Sequence, residues 1–177
     1  SDLVPIDQEK KPLPWLTYGI IKFLEDRIQP NFNVFEFGSG NSTLWWSQRV
    51  SSVVACEHQQ EWYQRLKTQL PTNVTYILRD HQNGDKYCQS AKTSNRFFDV
   101  IVIDGVDRVN CARYSVDALN GSGVIVWDNS ERAEYKVGMD FLKNQGFKQI
   151  EFYGLGPINP YMWCSSIFYR PNNCLGI

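Results

Sequence analysis

Short apolar runs alternate with amphipathic stretches along this chain, and the alternation predicts an α/β fold. Apolar runs of about four to eight residues between turn residues are typical of buried strands. The chain has such runs at residues 34–37, 53–56, 74–78, 97–104 and 124–127. The run at 97–104 is almost entirely apolar, as expected for a parallel strand that is covered on both faces.

Apolar residues at helical spacing lie between these runs. Ile20, Ile21, Leu24 and Ile28 form a stripe that predicts a helix before the first strand, with Pro14 in its first turn. The same pattern predicts further helices after the glycine turn at 38–40 and over residues 58–70, 112–119 and 131–145.

The C-terminal region departs from this alternation. Residues 148–153 and 164–169 read as strands, and the ten residues between them are rich in Gly and Pro, which suits a hairpin rather than a helical crossover. Residues 82–96 are polar and predict a loop or a short irregular helix, and residues 121–123 predict a turn. We therefore expect a mostly parallel sheet with helices on both faces and an antiparallel final hairpin.

Composition limits the function classes. A chain of 177 residues, 42% hydrophobic and 21% charged, is expected to form one domain over residues 1–177, with a polar N-terminal arm at 1–13. The net charge of −1 argues against a nucleic-acid partner. No apolar run reaches the ~18 residues of a membrane span. Five cysteines without CxxC spacing favour reduced thiols in a cytoplasmic protein.

The strongest motif lies in residues 33–57. A strand that carries Glu36 leads into a turn with Gly38 and Gly40, and a helix and a second strand follow, ending in Glu57. Glycines let a backbone approach a ligand closely, and a carboxylate at the strand tip can accept both hydroxyls of a ribose. An ordinary strand–turn–helix is the simpler alternative, but the two acids favour a site for a nucleoside-type cofactor.

The nature of the cofactor follows from the residue after the turn. Thr43 occupies the position of the third glycine of dinucleotide sites, which disfavours a pyrophosphate. The acid-x-Gly-x-Gly motif resembles the first motif of the class I S-adenosylmethionine-dependent methyltransferases. That resemblance implies a Rossmann-like fold with seven strands and these cofactor-binding residues: Glu36, Gly38, Ser39, Gly40, Asn41, Ser42, Glu57 for the ribose, His58, Asp80 for the adenine, and Asp104.

Acids also follow the fourth and fifth strands. Asp104 and the Asp128–Asn129 pair are similar to the residues of the metal-dependent catechol O-methyltransferase group, which implies a Mg²⁺ site and a catalytic role for these three. The lysine that serves that group as base is absent, and Asp107 and Arg108 stand in its neighbourhood. The alternative is that Asp104 touches cofactor or substrate directly while Asp128–Asn129 caps the next helix.

These features predict transfer of a methyl group to a hydroxyl of a small molecule or sugar. The stretch from Asp128 to Arg132, with Trp45–Trp46, also resembles a small bacterial family of methyltransferase-like proteins. The aromatic residues between 153 and 163 would lie over the acceptor, and Trp15 would lie over the cofactor or in the core. The alternatives are a non-catalytic cofactor-binding or interaction module, an NAD-type oxidoreductase and an RNA methyltransferase. A homodimer is left open.

Overall fold

A computed structural model of the chain describes residues 4–82 and 84–177. Its centre is a seven-stranded sheet with the order β3-β2-β1-β4-β5-β7-β6. Strands β1 to β5 are parallel, and β7 runs antiparallel to both β5 and β6. The predicted mostly parallel sheet with an antiparallel final hairpin is therefore confirmed. The strands are β1 (Asn33–Phe37), β2 (Ser52–Glu57), β3 (Val74–Leu78), β4 (Phe98–Ile103), β5 (Leu119–Asp128), β6 (Lys148–Gly154) and β7 (Trp163–Tyr169).

Six α-helices surround the sheet in the described residues. They are α1 (Tyr18–Glu25), α2 (Asn41–Ser47), α3 (Gln60–Leu66), α4 (Ser90–Thr93), α5 (Arg108–Ser115) and α6 (Lys136–Asn144). None of the helices in the described part of the chain is long and apolar enough to cross a membrane.

The core has one apolar cluster on each face of the sheet. One cluster packs Phe35, Ile101 and Trp127 against the side of α5 and α6. The other packs Val34 and Val102 against residues of α1 and α2. Alternate residues of the central strands thus face opposite layers, and this explains why those strands are apolar throughout rather than alternating.

Several boundaries differ from the sequence prediction. Helix α1 begins at Tyr18, after Pro14 rather than around it, and α5 spans Arg108–Ser115 instead of residues 112–119. The turn predicted at residues 121–123 was wrong, because this segment belongs to β5. The pairing of β4 with β5 shifts register there, so an irregularity in the ladder accommodates the Gly-Ser-Gly sequence.

The polar segments take compact local forms. In the predicted N-terminal arm, Leu13 N–H donates to the Pro5 carbonyl at 3.0 Å and Ile6 pairs with Pro12, which makes a small hairpin. The segment predicted as a loop or short irregular helix holds a 3₁₀ turn at Gly84–Lys86 and the one-turn helix α4. Residues 1–3 of the arm and residue 83 of this segment lie outside the described residues.

Candidate functional site

A cavity of about 570 Å³ lies at the carboxyl ends of β1, β4 and β5. Ligands of open α/β sheets bind at this edge, where the strand order reverses between β1 and β4. Three predicted site residues, Glu57, His58 and Asp80, are not part of its wall. The cavity brings together the others, namely Glu36, Gly38, Ser39, Gly40, Asn41, Ser42, Asp104, Asp128 and Asn129.

The buried acid of β1 fastens the glycine turn to the sheet. Glu36 is 1% exposed, and its two carboxylate oxygens accept hydrogen bonds from the hydroxyls of Ser42 and Thr43. Thr43 Oγ1 in turn accepts the Gly40 N–H at 3.1 Å. Thr43 therefore replaces the third glycine of a dinucleotide site with a side chain that ties the start of α2 to Glu36.

Burial raises the pKa of the Glu36 carboxyl to about 7, and the hydrogen bonds from Ser42 and Thr43 oppose this shift. A carboxyl with such a pKa is partly protonated at neutral pH. A positively charged ligand group beside the glycine turn would favour its ionised form.

We expect Glu36→Gln to change how stability depends on pH. Because the native pKa of about 7 exceeds the ordinary value of 4.5, the native state holds the proton more tightly than the unfolded state. Wild-type stability attributable to this group is full below pH 4.5 and is lost as the pH rises through 7, by about 3 kcal/mol. Urea unfolding at pH 5 and pH 8 should show that the glutamine variant gains stability relative to wild type at the higher pH.

The matched control is the exposed Glu61 on α3. Glu61→Gln should leave the difference between pH 5 and pH 8 as it is in wild type. A Glu36→Gln variant whose stability relative to wild type is the same at both pH values would contradict the assignment.

Two glycines allow the turns after β1 and β4 to touch. Gly38 has φ +97°, and a Cβ there would lie 3.1 Å from the carbonyl oxygen of Asp104. A Cβ on Gly105 would lie 3.1 Å from the backbone nitrogen of Gly38 and 2.0 Å from the Tyr87 hydroxyl. Both positions require glycine because backbone approaches backbone at the floor of the site.

Glu57, at the end of β2, is fully engaged within the protein. Its Oε1 accepts the backbone N–H groups of His58 and Gln59, each at 2.8 Å, and its Oε2 accepts the Ser39 hydroxyl at 2.6 Å. Ser39 lines the cavity, so it connects Glu57 to the site. Ser39 also shares a 2.8 Å hydrogen bond with the Tyr76 hydroxyl.

His58 and Asp80 lie at the edge of this region. The His58 ring meets the His81 ring edge-on at 5.1 Å, and its Nδ1 is 3.1 Å from Glu57 Oε1. Burial lowers the pKa of His58, and the Glu57 carboxylate opposes that effect. Asp80 is exposed in the loop after β3, where its Oδ1 accepts the Gln82 N–H at 2.8 Å.

Protein groups already engage the acids after β4 and β5, so the structure does not support the expected magnesium site. Asp104 Oδ1 lies 3.1 Å from Arg108 Nη2, so a guanidinium already balances this carboxylate. Asp128 Oδ1 accepts hydrogen bonds from Trp163 Nε1 at 2.9 Å and from the Ser165 hydroxyl at 2.6 Å. Over residues 4–82 and 84–177, no three His, Cys, Asp or Glu side chains are grouped to hold a metal ion.

The alternative role of a helix cap is also not observed. Asn129 has φ +55° and its carbonyl accepts the Arg132 N–H at 3.1 Å, within a tight turn. The helical segment after β5 begins with a 3₁₀ turn at Ala133–Tyr135, followed by α6. Asp128 and Asn129 instead face the cavity.

Arg108 joins the ends of the two central strands. Its guanidinium donates to the carbonyls of Asp128 at 2.5 Å and Gly105 at 2.9 Å, besides its ion pair with Asp104. Arg108 was predicted only to stand near the position of the missing lysine. No helical spacing marked this pair, because Asp104 lies in the loop after β4 and α5 begins only at Arg108.

Asp104 and Asp128 influence each other's ionisation. Burial raises the pKa of Asp104 well above its usual range, the Asp128 carboxylate raises it further, and Arg108 opposes both. Burial also raises the pKa of Asp128, against the hydrogen bonds from Ser165 and Trp163. A raised pKa makes each carboxylate a stronger base than an ordinary aspartate.

Trp62, Arg132 and Asn159 are among the cavity residues that were not predicted as site residues. Trp62, which the sequence analysis placed only in a helix, donates from Nε1 to the Ser39 carbonyl at 3.0 Å and so braces the glycine turn. Arg132 and Asn159 enter from the segments after β5 and β6. Both lie in stretches that the sequence had singled out, but their individual positions depend on how the final hairpin folds over the sheet.

The predicted arm also reaches the cavity. Val4 and Pro5 contribute to its wall, and Asn41 Nδ2 donates a hydrogen bond to the Pro5 carbonyl at 2.6 Å. The arm therefore lies beside the start of α2.

Comparisons with known proteins concern the fold. No family model and no curated protein matches the chain. Among solved structures, a precorrin-6y C5,15-methyltransferase from Geobacter metallireducens superposes with a TM-score of 0.68 at 15% identity, covering 94% of this chain and 97% of that one. The O-methyltransferase TomG from Streptomyces achromogenes, in complex with SAM, superposes at 0.64 with 14% identity, covering 84% and 77%.

A third neighbour is an rRNA methylase from Streptococcus thermophilus, with a TM-score of 0.60 and 17% identity over 84% of this chain and 93% of that one. At such identities the likeness establishes architecture and leaves the acceptor undetermined. The chain therefore has the seven-stranded, Rossmann-like fold of the class I S-adenosylmethionine-dependent methyltransferases, as its glycine-turn motif implied.

Proposed function

We propose that this protein binds S-adenosylmethionine and transfers its methyl group to a hydroxyl oxygen of a small molecule or sugar. The observation that carries the proposal is a single cavity with the glycine turn on one side and Asp104 and Asp128 on the other. A methyltransferase needs both a cofactor wall and an acceptor wall in one space, because the reacting atoms must be in line.

The residues around the glycine turn fit this cofactor. Gly38 and Gly40 leave room for close backbone contact, and the buried Glu36 offers negative charge to a ligand that carries ammonium and sulfonium groups. Glu57 would accept the ribose hydroxyls when the Ser39 hydroxyl turns from it toward Tyr76, which is already within 2.8 Å. When bound, S-adenosylmethionine supplies an electrophilic methyl group.

The residues of the acceptor wall supply proton transfer and orientation. Asp104 accepts the proton that leaves the acceptor hydroxyl, since its raised pKa makes it a better base than an ordinary aspartate. Arg108 holds Asp104 through their 3.1 Å ion pair. Asp128, fixed by Trp163 and Ser165, and Asn129 orient the acceptor from the end of β5.

The alternatives make different use of the same cavity. A non-catalytic module would keep the cofactor wall without turnover at Asp104. An oxidoreductase that binds NAD is disfavoured because the buried Thr43 side chain fills the third glycine position and is bonded to Glu36. The rRNA methylase shares this fold, so the argument against a nucleic-acid acceptor rests on the net charge of −1 alone.

Methyl transfer can be tested with S-adenosylmethionine labelled in its methyl group and a panel of hydroxylated aromatic and sugar acceptors. We expect alkali-stable, oxygen-linked label in wild-type product. Asp104→Asn should lower transfer at least ~100-fold while leaving affinity for S-adenosylhomocysteine within about twofold, because a general base contributes 10²–10⁴-fold.

Asp117→Asn is the matched control, since Asp117 is exposed and pairs with Lys92 on the surface. It should transfer label at the wild-type rate. Full transfer by Asp104→Asn would remove Asp104 from the role of base. Cofactor binding without transfer to any acceptor would favour the non-catalytic module, and steeply salt-dependent labelling of RNA would favour a nucleic-acid substrate.

A further inference from the structure

The turn that follows β5 carries Arg132, which lines the cavity, and hydrogen bonds to β7 fix the backbone of this turn. Ser130 N–H donates to the Cys164 carbonyl at 2.9 Å, and Glu131 accepts the Cys164 N–H at 3.0 Å. Arg132 N–H closes the turn on the Asn129 carbonyl. Contacts with β7 on both preceding residues hold the backbone of Arg132 in place, and its exposed side chain lines the cavity.

The guanidinium of Arg132 differs from that of Arg108 in its partners. Arg108 is 9% exposed, and its guanidinium donates hydrogen bonds to Asp104 and to two backbone carbonyls. Within the two described ranges, no group accepts a hydrogen bond from the Arg132 side chain and no carboxylate pairs with it. Its planar fork of N–H donors is therefore available to a ligand, and it matches the geometry of a carboxylate or phosphate.

Aromatic side chains share the cavity wall with Arg132. Trp15 is 43% exposed and Tyr161 is 59% exposed, and both line the cavity. Tyr161 also packs edge-on against Trp163, whose ring centroid is 6.3 Å away and whose indole is fixed by Asp128. Exposed aromatic faces next to fixed ones offer stacking surface for a flat ring.

Charge sets the orientation of such a ligand. Asp104 and Asp128 would repel an anionic group placed beside them, and Arg108, which contacts both residues, is already engaged. An anionic substituent would therefore lie at Arg132, while the hydroxyl to be methylated faces Asp104. Arg132 and Asp104 line the same cavity, and the Arg132 charge lowers the pKa of Asp104, so the two groups lie within electrostatic reach of each other.

We propose that the methyl acceptor is a hydroxylated ring that carries a carboxylate or phosphate, bound through its anionic group by Arg132 and through its ring by Trp15 and Tyr161. The role of the acceptor's hydroxyl rests on the proposed function, whereas the binding of its anionic group by Arg132 does not. It makes Arg132 a determinant of specificity, since a neutral ring of the same shape would leave the guanidinium without its partner.

Paired probes can test the anionic group directly. Binding of 3,4-dihydroxybenzoate is compared with that of catechol, and binding of phenyl phosphate with that of phenol, by NMR titration with and without S-adenosylhomocysteine. We expect the anionic member of at least one pair to bind wild type about 10-fold more tightly, as charge-assisted hydrogen bonds would provide. The pair with the larger ratio identifies the carboxylate or the phosphate as the preferred group.

Variants connect that preference to the residue. Arg132→Ala should abolish the ratio, and Arg132→Lys should retain part of it because the charge remains without the planar fork. Arg113→Ala, at an exposed arginine of α5 outside the cavity, should keep the wild-type ratio. S-adenosylhomocysteine affinity should be the same in all four proteins.

Three results would overturn the assignment. The first is equal binding of both members in each pair, or no measurable binding of any probe, to the wild-type protein. The second is a binding ratio that persists in Arg132→Ala. The third is a loss of S-adenosylhomocysteine affinity in Arg132→Ala, which would place Arg132 in the cofactor site. A clear ratio in a protein that does not bind S-adenosylhomocysteine would keep the anion site and reject the proposed function.

Discussion

Glu57→Ala should weaken binding of S-adenosylhomocysteine by about 100-fold, the largest effect that we expect on affinity. Hydrogen bonds to a charged group contribute about 1.5–3 kcal/mol each, and a ribose offers two hydroxyls to this carboxylate. The substitution also removes the acceptor of the His58 and Gln59 N–H groups at the start of α3. Calorimetric titration of the folded variant measures the effect.

Two further variants separate binding from folding. Glu57→Gln keeps one acceptor oxygen and the side-chain shape, so it should lose about 10-fold in affinity with a smaller loss of stability. Glu61→Ala, four residues along the chain and exposed, should bind as wild type. Unchanged affinity in a folded Glu57→Ala variant would show that Glu57 does not bind the ribose. Its absence from the cavity wall would then be the reason.

Gly105→Ala should produce the largest loss of stability, with a fall in Tm of about 10 °C. The new methyl group would lie 2.0 Å from the Tyr87 hydroxyl and 3.1 Å from the backbone of Gly38. Tyr87 is fully buried in the core beside Phe37, so its ring has little room to move. Overpacking of this kind costs about 3 kcal/mol of folding stability. In a chain of this size each kcal/mol lost lowers the Tm by several degrees.

The double variant Tyr87→Phe with Gly105→Ala tests whether contact with the Tyr87 hydroxyl causes the loss of stability. Removing the hydroxyl relieves the closest contact, so the double variant should recover part of the lost stability, while contact with Gly38 should keep it below wild type. Gly121→Ala is a control, because a Cβ there meets nothing within 4 Å. A Gly105→Ala protein as stable as wild type would mean that the turns after β1 and β4 are not packed as described.

The sheet could be predicted from sequence because burial on both faces demands continuous apolar runs. Residues 97–104 show this most clearly, since the parallel pairing of β4 with β1 and β5 leaves no solvent-facing side. The final hairpin was equally readable, because ten residues rich in Gly and Pro cannot form a crossover helix.

Helix α5 and the start of β5 were harder to predict for physical reasons. The sequence of α5 has no apolar stripe, so nothing local marks its start at Arg108. The glycines at 121 and 123 signal a turn, but pairing with β4 draws the segment into the sheet. Long-range pairing outweighed local preference at the start of β5, whereas α5 offers no local pattern to read.

Part of the candidate site could likewise be predicted from local sequence, and part of it could not. The glycine turn and its acid follow from spacing within one strand–turn–helix unit, and the structure places them in one cavity. The ion pair of Asp104 with Arg108 and the bonds from Trp163 and Ser165 to Asp128 depend on tertiary placement. Without those partners in view, the two acids and Asn129 suggested a magnesium site.

Calorimetric titration of the wild-type protein with S-adenosylhomocysteine, alongside NAD⁺, tests the central claim that the cavity at the carboxyl ends of the strands holds a methyltransferase cofactor. We expect saturable binding of one S-adenosylhomocysteine per chain and no comparable binding of NAD⁺. Folded protein that shows no binding of S-adenosylhomocysteine, or that binds NAD⁺ more tightly, would contradict the claim and leave only the fold.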